Sequence, residues 1–318
     1  MLWYALATYE TSGDKGDGIG GGKRRPAWVF GSALYDAGQA LAVTGSVLPD
    51  ALGAGVGETI SRWHEMDGAV AAMAAQVAQA VEKKSLKPLP EGSYRLCAPY
   101  LPARIFATAS NFYEHAREMG TQLAARSESS PYIFMKAETT VADPGALVVQ
   151  PASVAKLDWE VELGAVIGRG GRHIKEADAL AHVAGYVVFN DVSARDLTRR
   201  TDYPFSHDWF RGKSFDTFGP MGPWLVPAAC LGDPQDLHMT LDVNGERMQD
   251  GNTRDMIFSL AEQIVYLSGI LTLKPGDLIA TGTPTGVGMG RGIYLKPGDV
   301  MRASIDGIGT IENQVVAE

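Results

Sequence analysis

Over most of the chain, apolar and polar positions alternate in short runs separated by turn residues, and two longer stretches break that rhythm. The first, "ETISRWHEMDGAVAAMAAQVAQAVEKK" (58–84), is alanine-rich and predicts a helix interrupted at Asp67-Gly68, with Lys83 and Lys84 suited to its negative C-terminal end. The second begins with Ser259 and Glu262 in capping-box spacing and puts Leu260, Ile264 and Leu267 on one face, so a helix is predicted that ends before Pro275. Near the N-terminus, apolar runs at 2–9 and 27–30 flank a glycine-rich loop and read as a hairpin. Further on, "LDVNGERM" (241–248) and "ASIDGIGTIENQVV" (303–316) carry Asn244-Gly245 and Asp306-Gly307 between extended flanks, both tight-hairpin signals. "LKPLPEG" (86–92) reads as a linker. The pattern predicts an α+β protein, mainly β, with a small N-terminal α+β domain over 1–92 and a larger domain over 93–318.

Composition narrows the function classes. A chain of 318 residues with 45% hydrophobic and 20% charged residues can bury a sizeable core. Its net charge of −9 opposes long-range attraction to nucleic acid or anionic lipid, so an anionic ligand needs a local cation. Cys97 and Cys230 are too few and too far apart to suggest a disulfide framework or zinc cluster, and no apolar run is long enough for a membrane span. A cytoplasmic protein is expected, with no nucleic-acid or membrane partner. Two short motifs fail in context. The G-x-G-x-x-G at Gly16, Gly18 and Gly21 precedes Pro26 and a strand-like run where a dinucleotide site needs a helix, and "RGKS" (211–214) has His207 where a phosphate loop needs glycine.

Three places could carry chemistry. In "KLDWEVELGAVIG" (156–168), Glu160 and Glu162 share one face of a strand, with Trp159, Val161 and Leu163 on the other. Either this is an edge strand with a solvated face, or the two carboxylates hold a hard divalent cation. Asp191 ends the apolar run "AGYVVFND" (184–191), where it reads as a turn residue or as a third ligand. His115 and Glu118, three apart in "ASNFYEHAREMG" (109–120), are adjacent on a helical face and could act as a base with an orienting carboxylate, or simply sit on a polar surface.

The ordered blocks "SNFYEHAREMG", "PYIFMKAETT", "KLDWEVELGAVIG", "GYVVFNDVSARD", "RGKSFDTFGPMGPW", "TLKPGDLIATGTPTGVG" and "LKPGDVMRASIDGIGTIENQV" closely resemble the fumarylacetoacetate hydrolase (FAH) family over about residues 95–316, in its acylpyruvase-like branch. The resemblance implies a mixed β-roll catalytic domain, a homodimer, and Mg²⁺ held by Glu160, Glu162 and Asp191, with Mn²⁺ or Ca²⁺ as alternatives. It implies that Lys213 supports the substrate's oxyanion or carboxylate, that Thr283 beside Gly282 binds substrate, and that His115 and Glu118 are a His-x-x-Glu pair brought in on a lid. Tyr113 and Lys136 stand in matching blocks and are expected near the substrate. Two departures bear on specificity: Asn111 replaces an acidic ligand of fumarylacetoacetase itself, and "TDYPFSHDWF" (201–210) lacks the glutamine many relatives carry ahead of the "GKS" block.

The implied activity is metal-dependent hydrolysis of a C–C bond in an acylpyruvate, a small anionic 2,4-dioxo acid. An isomerase of the 2-hydroxyhepta-2,4-diene-1,7-dioate type, or an oxaloacetate decarboxylase, would use the same enolate-stabilising groups. A protein that kept the fold without chemistry would have lost a ligand or the lysine, and this chain has them all.

Overall fold

The structure, a computed structural model, describes residues 2–12, 23–45, 50–120 and 122–318. The glycine motif at Gly16, Gly18 and Gly21 lies outside them. Strands β1 (Ala5–Thr11), β2 (Arg25–Phe30) and β3 (Ala33–Asp36) form an antiparallel meander, as the hairpin pattern predicts for the first pair. Helices α1 (Ala37–Thr44), α2 (Asp50–Ala54), α3 (Val56–Ser61) and α4 (Trp63–Glu82) follow.

The break in the long helical stretch falls at Arg62, not at Asp67-Gly68. Trp63, Met66, Val70, Met73 and Val77 form one buried stripe that runs straight through residues 67 and 68. Each such side chain gains about 1.5–3 kcal/mol on burial, against about 1 kcal/mol for a glycine in a helix interior, so the stripe decides.

After this helix come β4 (Tyr94–Cys97), β5 (Ile105–Ala109), α5 (Tyr113–Glu118), β6 (Tyr132–Lys136), β7 (Val141–Ala142), β8 (Val148–Gln150), β9 (Leu157–Asp158) and β10 (Val161–Ile167). The chain continues through α6 (Glu176–Ala179), β11 (Val183–Asn190), β12 (Ser193–Ala194), α7 (Trp209–Lys213), β13 (Gly219–Pro227), α8 (Ala228–Leu231), β14 (His238–Val243) and β15 (Glu246–Asn252). It closes with α9 (Leu260–Ile270), β16 (Leu278–Ala280), α10 (Gly288–Arg291), β17 (Val300–Ile305) and β18 (Gly309–Ala317). The capping box of Ser259 and Glu262 is present at the start of α9. Asn244 and Gly245 both take positive φ between β14 and β15, as a tight hairpin needs. In the β17–β18 hairpin only Gly307 of the Asp306-Gly307 pair does so, and the connection spans three residues.

A large mixed sheet runs in the order β3-β2-β1-β13-β11-β10-β16-β5-β6, with β4 against β1 and β7 against β13. Strands from both sides of residue 92 therefore share it. A second sheet, β15-β14-β17-β18-β8, packs over one face. This is the mixed β-roll architecture with α+β content that the sequence implies.

Strand β10 lies in the middle of the large sheet, paired to β11 and β16, and is buried along its whole length. Val161, Leu163, Ala165 and Ile167 face the core shared with the second sheet, while Val166 faces the core shared with α4. An edge strand with a solvated acidic face is ruled out: Glu160 and Glu162 are 5% and 2% exposed.

Gly68 lies on the exposed side of α4 with open space around its Cβ direction. Gly68→Ala is expected to raise stability by about 0.5–1 kcal/mol in urea unfolding; a loss of stability would contradict a continuous α4.

Candidate active site

The carboxylates converge because the sheet brings two strand ends together. Glu160 immediately precedes β10 and Asp191 immediately follows β11, and the ladder between the strands extends one step further as Asp191 N–H donates to the Glu160 carbonyl at 2.9 Å. The Asn190 side chain accepts from Glu160 N–H at 3.0 Å, which fixes the approach to β10. Glu162, two residues along, lies on the same side as Glu160. Ligand atoms of Glu160, Glu162 and Asp191 all lie within 4.8 Å of one another, and all three residues are buried.

Buried cations offset most of this charge. Lys213, at the end of α7, donates to Glu160 at 2.6 Å and to Asp191 at 2.7 Å. Lys136, at the end of β6, donates to the other Asp191 oxygen. Arg195 bridges Glu160 at 2.5 Å and Asp158 at 2.7 Å. Among the described residues of this cluster, four carboxylates (Asp158, Glu160, Glu162, Asp191) thus face three cations (Lys136, Lys213, Arg195), and Glu162 is the one with no ion-pair partner. Its Oε2 accepts only the Gly282 N–H, at 2.9 Å.

The electrostatics follow from those contacts. Burial opposes ionisation of Glu160, but the Arg195 and Lys213 charges outweigh it and hold its carboxyl well below the usual range. Burial, reinforced by the carboxylates of Asp191 and Glu160, pushes Glu162 well above that range. Burial also lowers Lys136, whereas for Lys213 the two carboxylates outweigh burial and raise it. A surplus buried carboxylate among three close oxygen donors suits a hard divalent cation, which takes a few carboxylates and keeps positions open.

His115 and Glu118 lie on α5, with His115 buried and its Nδ1 3.7 Å from Glu118 Oε2. That nitrogen has no hydrogen-bond partner among the described residues. Glu118 is tied instead to the loop after β16, accepting from Gly286 N–H at 2.9 and 3.1 Å. Burial works against its ionisation, and His115, the Gly286 N–H and Thr285 together overcome this and lower its pKa. Gly286 has φ of 102°, and a Cβ there would lie 2.1 Å from the Met248 carbonyl, so only glycine allows this approach.

A cavity of about 290 Å³ opens above the triad. His115, Glu160, Glu162, Asp191, Lys213 and Thr283 all line it. Thr283 donates to the Val161 carbonyl and accepts from Gln249, so its hydroxyl is engaged by the protein. Lys136 reaches the site only through Asp191. Tyr113 is 46% exposed and does not line this cavity; with Arg117 and Leu123 it lines a neighbouring one that contains none of the triad. Asn111 pins two loops by bonding Phe258 and the Thr281 carbonyl, a structural task for the position where the fumarylacetoacetase resemblance has an acid.

Sequence reasoning missed Asp158, Arg195 and Gln249. Asp158 accepts from Gly288 and Met289 N–H as well as from Arg195. Gln249 bonds Val161 N–H, between the two glutamates, and the Thr283 hydroxyl. Asp158 and Arg195 stood inside the quoted blocks, but their pairing spans 37 residues and carries no local signal. Gln249 had none.

The family model described as "Fumarylacetoacetate (FAA) hydrolase C-terminal" matches residues 104–316. A protein from Sphingomonas sp. (strain SKA58) named 2,4-didehydro-3-deoxy-L-rhamnonate hydrolase is 47% identical over 232 residues, 72% of this chain and 79% of its own length. The human mitochondrial protein named oxaloacetate tautomerase FAHD2A is 40% identical over 243 residues, 76% of this chain and 75% of its own. The crystal structure of maleylpyruvate hydrolase from Sphingobium sp. SYK-6, in complex with manganese(II) and pyruvate, superposes with a TM-score of 0.71 at 30% identity, covering 98% of this chain and 99% of that one.

Truncating Arg195 leaves Asp158 and Glu160 buried without their guanidinium. Arg195→Met is expected to cost about 3–5 kcal/mol in chemical unfolding, and a cost below about 1 kcal/mol would show the pair to be dispensable.

Proposed function

The chain belongs to the fumarylacetoacetate hydrolase family, and from that premise we propose that it is a metal-dependent hydrolase of a C–C bond in a 2,4-dioxo acid of the acylpyruvate type. The observation that carries this reading is the meeting, in one cavity, of a buried carboxylate triad with a lysine at one side and a histidine backed by a glutamate at the other. The first set suits stabilisation of an enolate, and the second suits activation of water. The relative named for a 2,4-didehydro-3-deoxy aldonate supports it, since such a compound carries oxo groups at C2 and C4 around a methylene.

Glu160, Glu162 and Asp191 would hold the cation, Mg²⁺ with Mn²⁺ or Ca²⁺ as alternatives, and when bound it supplies Lewis-acid stabilisation of charge on the 2-oxo acid end. The manganese and pyruvate in the related maleylpyruvate hydrolase are consistent with that role. Lys213 adds positive charge where the enolate develops. His115 takes a proton from water, and Glu118, anchored on Gly286, orients the imidazole and stabilises its protonated form. At 3.7 Å the pair is one small shift from a hydrogen bond, the loose geometry common in catalytic pairs before substrate binds. Hydroxide attacks the C4 carbonyl, the C3–C4 bond breaks, and its electron pair passes into the enolate of pyruvate, which then takes a proton.

A second reading draws on the relative named oxaloacetate tautomerase: the same enolate-stabilising end could isomerise an unsaturated 2-oxo diacid, or tautomerise or decarboxylate oxaloacetate, without activated water.

Acetylpyruvate, fumarylpyruvate, a 2,4-didehydro-3-deoxy aldonate, oxaloacetate and 2-hydroxyhepta-2,4-diene-1,7-dioate, each assayed with Mg²⁺ and with chelator, separate the two. Hydrolysis of the 2,4-dioxo acids is expected, abolished by chelator; turnover indifferent to chelator would refute the metal's role. His115→Ala should lower hydrolysis by about 10²–10⁴-fold and any oxaloacetate decarboxylation far less. Equal losses would overturn the assignment of His115 to water.

A further inference from the structure

The inner end of the cavity is accounted for by the triad and its cations; the outer end is not. The segment between β12 and α7 lines it together with residues that join α5 to β6. Backbone pairing closes this segment into a narrow loop: Arg199 bridges His207, Asp208 N–H donates to the Thr198 carbonyl at 2.9 Å, and Arg200 N–H donates to the Ser206 carbonyl at 3.0 Å. Thr198, Arg199, His207 and Trp209 all line the cavity.

The rings of this segment join a wall leading to the inner end. His207 lies parallel to Trp209 at 6.0 Å and 9°, Trp209 stacks on Phe134 at 5.2 Å and 22°, and Lys213 Nζ lies 5.6 Å from the Phe134 ring. The wall therefore runs from the lysine at the enolate end to Arg199 and His207 at the mouth.

The charges along it are unequal. Lys213 and Arg195 are neutralised by the acidic cluster, Arg126 pairs with Glu262, and the neighbouring Arg200 pairs with Asp202 and Asp208. Arg199 has no ion pair or side-chain hydrogen bond among the described residues, although it lines the cavity of a chain whose net charge is −9. An unpaired guanidinium in that position is a ready fork for a carboxylate.

We infer that the substrate carries a second carboxylate at the far end of its acyl group, read by Arg199 beside His207, with the intervening carbons lying along the Phe134–Trp209 wall. The inference rests on the 2,4-dioxo acid reading and narrows it to 2,4-dioxo diacids. Arg199 is thus a specificity residue, remote from the bond that breaks.

Two compounds of equal length isolate the charge: 2,4-dioxoheptanedioate, and 2,4-dioxoheptanoate, which ends in a methyl group. With Mg²⁺ present, the wild-type protein is expected to favour the diacid by about tenfold, the scale of one charge-assisted hydrogen bond, both in kcat/KM and in binding by calorimetry. Arg199→Gln should bring that ratio to near one, Arg199→Glu should invert it, and Arg200→Gln, whose arginine is already paired, should keep it. A ratio within one variant is independent of the fraction of protein that is active. Equal treatment of the two compounds by the wild type, or a preference that survives Arg199→Gln, overturns the proposal. If neither compound is hydrolysed, the hydrolase reading fails while the calorimetric ratio still decides the role of Arg199. If neither binds, the proposal fails with it.

Discussion

A surplus of buried negative charge at the start of β10 is the constraint around which this molecule is arranged. Taking an ion out of water costs several kcal/mol even after relaxation, and paired buried ions at best recover that loss. Asp158, Glu160, Glu162 and Asp191 nevertheless lie together with Lys136, Lys213 and Arg195, nearly all out of solvent. Apolar residues would stabilise the same position at lower cost. The arrangement persists only because the rest of β10 is secured by two cores, one on each face, and by two antiparallel neighbours. One face of the strand therefore begins as a polar cluster and ends, at Val166, as packing against α4. The excess falls on Glu162, whose nearest donor is a peptide N–H, and an additional cation is what would remove it.

The loop after β16 supplies the second half of the arrangement. Its backbone N–H groups, with that of Gly288 at the start of α10, reach three acidic residues on three separate segments: Gly282 reaches Glu162, Gly286 reaches Glu118, and Gly288 reaches Asp158. Peptide groups held in a loop cannot rotate away as side chains can, so the relative positions of the triad, the His115 helix and the Arg195 bridge share one template. Gly282 makes this possible as Gly286 does, with φ of 101° and a Cβ position only 2.7 Å from Asn111 Cβ. Asn111 and Gln263 both bond the Thr281 carbonyl and thereby fix where the loop starts.

How much of this is legible in the sequence depends on whether the signal is local. The capping box at Ser259 and the Asn244-Gly245 turn are short-range matters of hydrogen bonding and φ, and both appear where the residues indicate. The pairing of Glu160 with Glu162 follows from the period of a strand, and the seven ordered blocks bring Asp191 to them. Burial of the strand on both faces is a different kind of fact, because it depends on β11 and β16 arriving from elsewhere in the chain. The same holds for Arg195, 35 residues from Glu160, and for Gln249, 88 residues from Val161. The helix break was misplaced because Asp67-Gly68 is a real local breaker that a buried stripe outweighs. Tyr113 shares a block with His115, yet a helix turns it outward, away from the triad.

Ion pairs and buried hydrogen bonds are concentrated at the inner end of the cavity, and under the proposed function that concentration sets chemistry apart from recognition. The inner end hangs on β10, β11 and the bonded loop after β16, where a shift of one side chain would unbalance several ion pairs at once. The outer end includes a pinched loop held by ring stacks, backbone hydrogen bonds and the half-exposed ion pairs of Arg200, which tolerate exchange of residues far more easily. Relatives whose names span hydrolysis and tautomerisation are what such a division would produce. A fixed end that stabilises one kind of anion can serve many substrates, while a replaceable end decides which of them stay long enough to react. The unpaired arginine therefore belongs on the loop: a recognition charge is cheap to alter where it touches solvent, whereas exchanging Lys213, Lys136 or Arg195 at the triad would leave buried carboxylates without their partners.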